Sequence, residues 1–532
     1  MQTLRRAVIF NYAGKQTARS IAVKAAVAND KRAEIKPWQD IPGPSSLPII
    51  GQLHHFLPGG FLHLSQKEVI NILYEKYGPI VKMKFLGLPA LIVHVTDAEA
   101  IEQILRGEDA LPDRPAFKSL EYYRKEYNKN RNPSECTGLV TERGEDWKRI
   151  RTKVNPIMLQ PKRVKLYSKI LDEVSEDMIT KLKSKLNEKN MVQGGIRNEV
   201  NLWSLEAVAV VALGKRLNCF DPNLPQDSPV RKLIKNVHEV FHAAEELDLK
   251  PSLWRYYPTK MFKKAMKIYE EQSQYVQTLS NAACYIASSI FSHLSSCYFC
   301  FSLTRYFIKE RIEQLKQSPP RNDDEKSILE KLLDIDENTA HLMAGDSLFA
   351  GVDTVANVMI SIFYYLATNI EKQNRLREEI MSGDPKQPYL KACIKETLRL
   401  IPVVPGNLRK LTKDYNILGY QVPIDTFAIL NHEVLCKQDK HFPRANEFIP
   451  ERWIVEKTDP LHYSSAHPFV YNPFGFGTRS CIGRRIAQLE MESFVHKMFR
   501  SFHLQWHGPP AKVDVAISNY IIGDLPFTLK EL

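Results

Sequence analysis

A chain of 532 residues exceeds the usual single-domain size, and at 44% hydrophobic and 25% charged it is too apolar for a disordered polymer. A net charge of +12, from 73 basic and 61 acidic residues, suits an anionic membrane, an acidic partner or nucleic acid. No zinc-finger spacing and no dense Lys/Arg block is present, so nucleic acid is the least favoured of these and no nucleic-acid partner is expected. The eight cysteines (Cys136, Cys219, Cys284, Cys297, Cys300, Cys393, Cys436 and Cys481) are widely spread, which fits a reducing compartment better than a disulfide framework.

The first stretch, MQTLRRAVIFNYAGKQTARSIAVKAAVAN, carries Arg5, Arg6, Lys15, Arg19 and Lys24 and no acid before Asp30. Basic and acid-poor is the composition of a mitochondrial transit peptide, expected over residues 1–36, and not that of a secretory signal or a spanning helix. KPWQDIPGPSSLPIIGQL (36–53) is stiffened by prolines and marks the start of one large domain, 37–532. HLSQKEVINILYEKYG predicts a helix, and IVKMKFLG with PALIVHV predicts a β-hairpin around Gly87 and Pro89. From about 97 to 400 helical periodicity dominates, as in DAEAIEQILR and LYSKILDEVSEDMITKLKSKL. The stretch SILEKLLDIDENTAHLMAGDSLFAGVDTVANVMISIFYYLATN grows increasingly apolar and predicts a buried central helix. Strand-like pieces return around 407–431, so the expected fold class is mainly α with small β-sheets.

Residues 272–304 contain no Asp, Glu, Lys or Arg, and they hold Cys297-Tyr-Phe-Cys300. Taken alone they could be a membrane-dipping hairpin or half of a metal or redox site. They are too Ser-rich for a spanning helix, and no second CxxC exists.

FGFGTRSCIGRRIAQLE (474–490) places Cys481 between a glycine-rich run and a double arginine, with helix-like sequence directly after it. The glycines let the backbone bend tightly or let something bulky approach. The pattern Phe-x-x-Gly-x-Arg-x-Cys-x-Gly, at Phe474, Gly477, Arg479, Cys481 and Gly483, resembles the haem-binding loop of the cytochrome P-450 family. The resemblance implies the cytochrome P-450 architecture, with Cys481 as thiolate ligand of the iron of haem b, favouring O–O cleavage. It also implies that Arg479 pairs with a haem propionate and that Phe474 packs beside the sulfur. In KETLR, Glu396 and Arg399 match the family's scaffold pair, which locks to Arg452 of FIPERW. In LFAGVDTVAN, Gly351 should cost about 1 kcal/mol relative to Ala. The resemblance supplies a reason: Ala350–Gly351 leave room for oxygen while Asp353 and Thr354 relay protons. Trp147 and Arg151 of DWKRIR, and Arg409 of GNLRKL, match further propionate contacts.

YLKACIKETLRL and CIGRRIAQLEME resemble the family's mitochondrial branch, which is fed by a small acidic [2Fe–2S] ferredoxin (adrenodoxin-like) and its NADPH reductase. There the counterparts of Lys391, Lys395 and Arg485 form the docking patch. VNPIMLQPKRV and FLPGG are most similar to arthropod members, which include ecdysteroid hydroxylases and detoxification enzymes. The segments near Val403–Pro405, near Ile521–Gly523 and before Trp147 are mostly apolar, so a lipophilic substrate is expected. The expected function is a haem-thiolate monooxygenase using O2, peripheral on the mitochondrial inner membrane. One rival is an O2-independent haem-thiolate isomerase or dehydratase, against which the intact Asp353–Thr354 pair argues. The other is an unstable product of a damaged gene model, and two departures feed it. The family's helix would run directly from KIYEEQSQY to RYFIKERIEQL, which makes 278–304 an insertion or gene-model artefact. REEIMSGDPKQPYLKAC is shorter than the family's usual connection.

Overall fold

Helix starts are fixed by side chains that accept the free N–H groups of a first turn. Ser65 and Glu68 close a capping box at α1, Gln66–Tyr77. Asp97 accepts from the Ala100 N–H at α2, Ala98–Arg106. The computed structural model describes residues 35–128, 137–274 and 303–532, apart from 59, 86–90, 251, 318, 320–321, 323–325 and 516. The expected transit segment and insertion lie outside the described residues, save 35–36 and 303–304.

Four helices follow: α3 (Gly144–Met158), α4 (Ser168–Ser184), α5 (Ile196–Ala212) and α6 (Pro229–Ala244). Next come α7 (Lys260–Gln274) and α8 (Leu303–Gln317). The long apolar pattern of 327–369 is divided into a short helix, Ile328–Leu333, and α9, Glu337–Thr368. Asp336 causes the break, because its carboxylate accepts from the Asn338 N–H and restarts the helix. α9 is 32 residues long, and 67% of its most apolar window is buried inside the protein, as expected of a central core helix.

α9 packs hardest against α5. A Cβ on Gly351 would lie 2.7 Å from Val208 Cγ2, so the glycine is what lets the two helices approach. Ser204 of α5 donates to the Gly351 and Val352 carbonyls at 3.1 and 2.9 Å. On the side where a Cβ would point, Gly351 therefore meets Val208. Ala350, one residue earlier, is the exposed member of the pair.

The expected hairpin forms from β2 (Ile80–Met83) and β3 (Ile92–Val95), paired antiparallel with Ile80 opposite Val95. With β4 (Asn407–Lys410) and β7 (Phe427–Leu430) they build a four-stranded sheet of order β2-β3-β7-β4. β1 (Lys36–Pro37) runs parallel to β6 (Tyr420–Val422), which pairs with β5 (Tyr415–Ile417). Two antiparallel pairs finish the chain: β8 (Phe502–Trp506) with β11 (Phe527–Glu531), and β9 (Val513–Val515) with β10 (Asn519–Ile521).

The short connection joins α10 (Ile370–Ser382) to α11 (Pro388–Leu400). Gly383, at φ 74°, turns the chain, and the Glu379 carboxylate accepts from the Tyr389 and Leu390 N–H groups at 2.7 and 2.8 Å. α12, Arg484–Ser501, follows directly after the cysteine loop.

Candidate active site

Gly475 and Gly477 take φ values of 71° and 73°, which a side chain would strain, and so bend the loop back on itself. The Cys481 N–H donates to the Phe474 carbonyl at 2.8 Å, and Ser480 N–H to Gly477 at 3.1 Å. Phe474 itself packs against the main core. Of the described cysteines, Cys219, Cys393 and Cys436 are buried, whereas Cys481 is exposed. The protein mass around Cys481 still pushes its thiol up. The Gly483 N–H and the charges of Arg151, Arg114 and Arg484 pull the other way, toward thiolate. The sulfur thus sits at the start of α12, where backbone N–H groups favour negative charge.

Around it the structure gathers arginines. The Arg479 guanidinium lies 3.8 Å from the Trp147 ring centroid and donates to the Pro112 and Glu142 carbonyls at 3.0 and 3.3 Å. Burial, with repulsion from Arg114 and Arg409, pushes it down to about 9. Arg151 of α3 donates to the Ser480 carbonyl at 2.8 Å, and burial pushes it down to about 10. Arg409 of β4 is ion-paired to Glu108 and donates to the Leu408 carbonyl. Arg114 completes the group, and burial followed by the Arg409 charge lowers it. It escaped the sequence reading: in Pro-Asp-Arg-Pro the flanking prolines indicate an extended segment but nothing about what the guanidinium faces.

These residues fit a haem. Arg114 Nε, Arg151 Nε and Arg409 Nη2 are buried without a partner, a cationic surplus that the two propionates of a haem would satisfy. A Cβ at Gly483 would meet no protein atom within 4 Å, so a planar group could lie close to this backbone. Among the described residues no three His, Cys, Asp or Glu converge to hold a bare metal ion. A single cysteine therefore suits an iron whose remaining ligands come from a macrocycle.

On α9, Asp353 is only 5% exposed. Its Oδ2 lies 2.8 Å from His238 Nδ1 of α6, while its Oδ1 is buried without a partner. Thr354 Oγ1 donates to the Ala350 carbonyl at 2.7 Å. Beside them Phe349 stacks on Phe241 at 5.0 Å and meets Phe117 edge-on at 5.7 Å. His238 also escaped the sequence reading, since a lone histidine on a helix carries no spacing signal.

Glu396, Arg399 and Arg452 meet in a fully buried network. Arg399 donates twice to Glu396, at 3.0 and 2.8 Å, and also to the Cys436, Ala445 and Glu447 carbonyls. Glu396 further accepts from Arg452, Trp453 Nε1 and the Ile449 N–H. Lys391 and Lys395 on α11, and Arg485 on α12, lie on helices that pack together. Burial and the Lys391 charge lower Lys395, opposed by Glu492 of α12. Glu492 is raised by burial against the pull of both lysines, so the patch includes one carboxylate.

A thiol at a helix start with the charges of Arg114, Arg151 and Arg484 around it, beside buried guanidinium atoms that lack partners, has the makings of a haem-thiolate site. The comparisons give the family. The model described as "Cytochrome P450" matches residues 41–516. Cytochrome P450 CYP12A2 of Musca domestica is 34% identical over 509 residues, covering 91% of this chain and 88% of that protein. Probable cytochrome P450 12a5, mitochondrial, of Drosophila melanogaster is 32% identical over 529 residues, covering 94% and 92%. Probable cytochrome P450 12c1, mitochondrial, from the same fly, is 34% identical over 494 residues, covering 89% and 87%. The chain belongs to the cytochrome P-450 family of haem-containing monooxygenases.

Proposed function

We propose that this monooxygenase works in mitochondria, holds haem b through Cys481, and inserts one oxygen atom of O2 into a lipophilic substrate. The haem supplies the redox chemistry that splits O2. Arg114, Arg151, Arg409 and Arg479 hold its propionates, and Trp147 braces Arg479 from the side. Asp353 and Thr354 would form the proton route: as Thr354 Oγ1 takes a proton from the Asp353 carboxyl, its hydroxyl turns from the Ala350 carbonyl and releases its own proton onward. The Glu396–Arg399–Arg452 network keeps the loop leading to Cys481 in place. The Phe117–Phe241–Phe349 cluster supports an apolar substrate, steroid or xenobiotic.

Residues 1–36 are a transit segment in this reading, and 278–304 an insertion in the gene model. Sequencing the transcript across 278–304 settles the latter: an uninterrupted frame containing these codons sinks it. Electrons come from an acidic [2Fe–2S] ferredoxin, kept reduced by its NADPH reductase, at Lys391, Lys395 and Arg485. Exposed Leu47, Ile49, Leu57 and Leu62 near the start of the domain support a peripheral inner-membrane contact.

The observation that carries the reading is the thiol at the start of α12 among buried, partnerless guanidinium atoms. Its test is the carbon monoxide difference spectrum of the reduced protein made without residues 1–36. A strongly red-shifted Soret band is expected, lost in Cys481→Ser. A band of neutral ligation, or no haem, overturns it. Labelled O2 then separates oxygen insertion, in which the label enters the product, from rearrangement, in which it does not. Ecdysteroids and insecticides are the two substrate panels.

A further inference from the structure

The acid on α9 is buried, yet it is tied to a side chain that water reaches. His238 is 46% exposed, and its Nδ1 lies 2.8 Å from Asp353 Oδ2. Its other nitrogen, Nε2, is 3.4 Å from Asn201 Nδ2 of α5. The amide N–H can only donate, so the ring takes the tautomer with Nδ1–H donating to Asp353 and Nε2 accepting. One imidazole therefore bridges solvent and a buried carboxylate whose second oxygen is unpartnered.

We propose that His238 is the positioning residue that refills Asp353 with protons from water. This rests on the reading of Asp353 and Thr354 as the proton route and adds the step before it. When the long bond from the Asn201 amide opens, Nε2 takes a proton from water, and the imidazolium passes its Nδ1 proton to Asp353 Oδ2. The ring is left as the Nε2–H tautomer, and exchange with water restores Nδ1–H. One proton enters, one is delivered, and no charge accumulates on the ring. Imidazole is the side chain suited to this near neutral pH. The charged and titratable groups around the pair are Asp353 on α9 and Arg197 on α5, which is lowered by burial and raised by Tyr520 and Asp353. Lys235 and His242 lie one turn either side of His238 on α6.

The test compares His238→Asn and Asp353→Asn in the holoenzyme. An asparagine amide can still donate to Asp353 but cannot carry a proton, so a purely structural tie survives it and a relay does not. Product formed per electron pair should fall about tenfold in H238N, with KM and the carbon monoxide spectrum unchanged. That loss is smaller than the 10²–10⁴ of a group acting directly on reacting atoms. In protein carrying isotope-labelled histidine, the ring resonance that H238N removes should shift in D353N. Loss of coupling in D353N but not in H238N overturns the role of His238 and leaves the Asp353 route standing. Normal coupling in D353N overturns both. An unshifted ring resonance overturns the contact itself.

Discussion

Thr354 and Glu490 show how a single side chain's environment sets what it does. Thr354 Oγ1 returns its hydrogen bond to the Ala350 carbonyl and keeps its lone pairs for a neighbour. Thr354→Ala should divert electrons to peroxide while leaving substrate affinity intact; an unchanged ratio of product to peroxide removes Thr354 from the route. Glu490 on α12 is buried with Oε1 unpartnered, and burial pushes its carboxyl up to about 8. A raised acid pKa means the folded state binds the proton more tightly than the unfolded chain. Its stabilising effect is complete below the ordinary glutamate range and is lost as pH rises through about 8. Glu490→Gln should match wild type at pH ~5 and be more stable than wild type at pH ~9, by on the order of a few kcal/mol of unfolding free energy. Parallel pH curves for the two proteins would falsify this. The sequence motif could locate Cys481, Arg479 and Phe474 because the spacing within one loop is local. It could not locate Arg114 or His238, whose significance arises only from residues far away in the chain.

At the scale of elements, the contact between α5 and α9 decides more than either helix's own propensity. Gly351 loses about 1 kcal/mol of helix preference, and the approach of Val208 returns it as packing. Gly351→Ala drives a Cβ to within 2.7 Å of Val208 and should destabilise by about 1–3 kcal/mol. Val208→Ala in the same chain should recover most of that loss, measured as the urea midpoint at constant m. A double variant as unstable as the single one would show the clash lies elsewhere. Periodicity revealed the helices at Gln66–Tyr77, Ala98–Arg106 and Ser168–Ser184 and the central one. It missed the break at Asp336, because a capping aspartate inside an apolar-periodic run looks like one more polar position. Nor could periodicity show that Glu379 closes the short α10–α11 connection by accepting from the first N–H groups of the next helix.

Across the whole molecule the net charge is +12. Lys391 and Lys395 lie on α11 and Arg485 on α12, two helices that pack together, and Glu492 reduces the surplus beside the lysines; in the proposed docking these three cations meet the ferredoxin. Lys391→Glu with Lys395→Glu should raise the KM for the ferredoxin about tenfold at low salt and flatten its salt dependence. Equal loss at all ionic strengths would point to damage rather than docking. The sequence by itself determined the family, since its motif is written in one short stretch, and it named the three residues that meet in the buried Glu396–Arg399–Arg452 network. It also determined a mainly helical chain with small sheets, because burial periodicity is local. Only the tertiary structure decided which cations surround the thiol, what Gly351 makes room for, and which side chain meets Asp353. Those depend on where separate helices cross, and a crossing is set by packing many side chains at once.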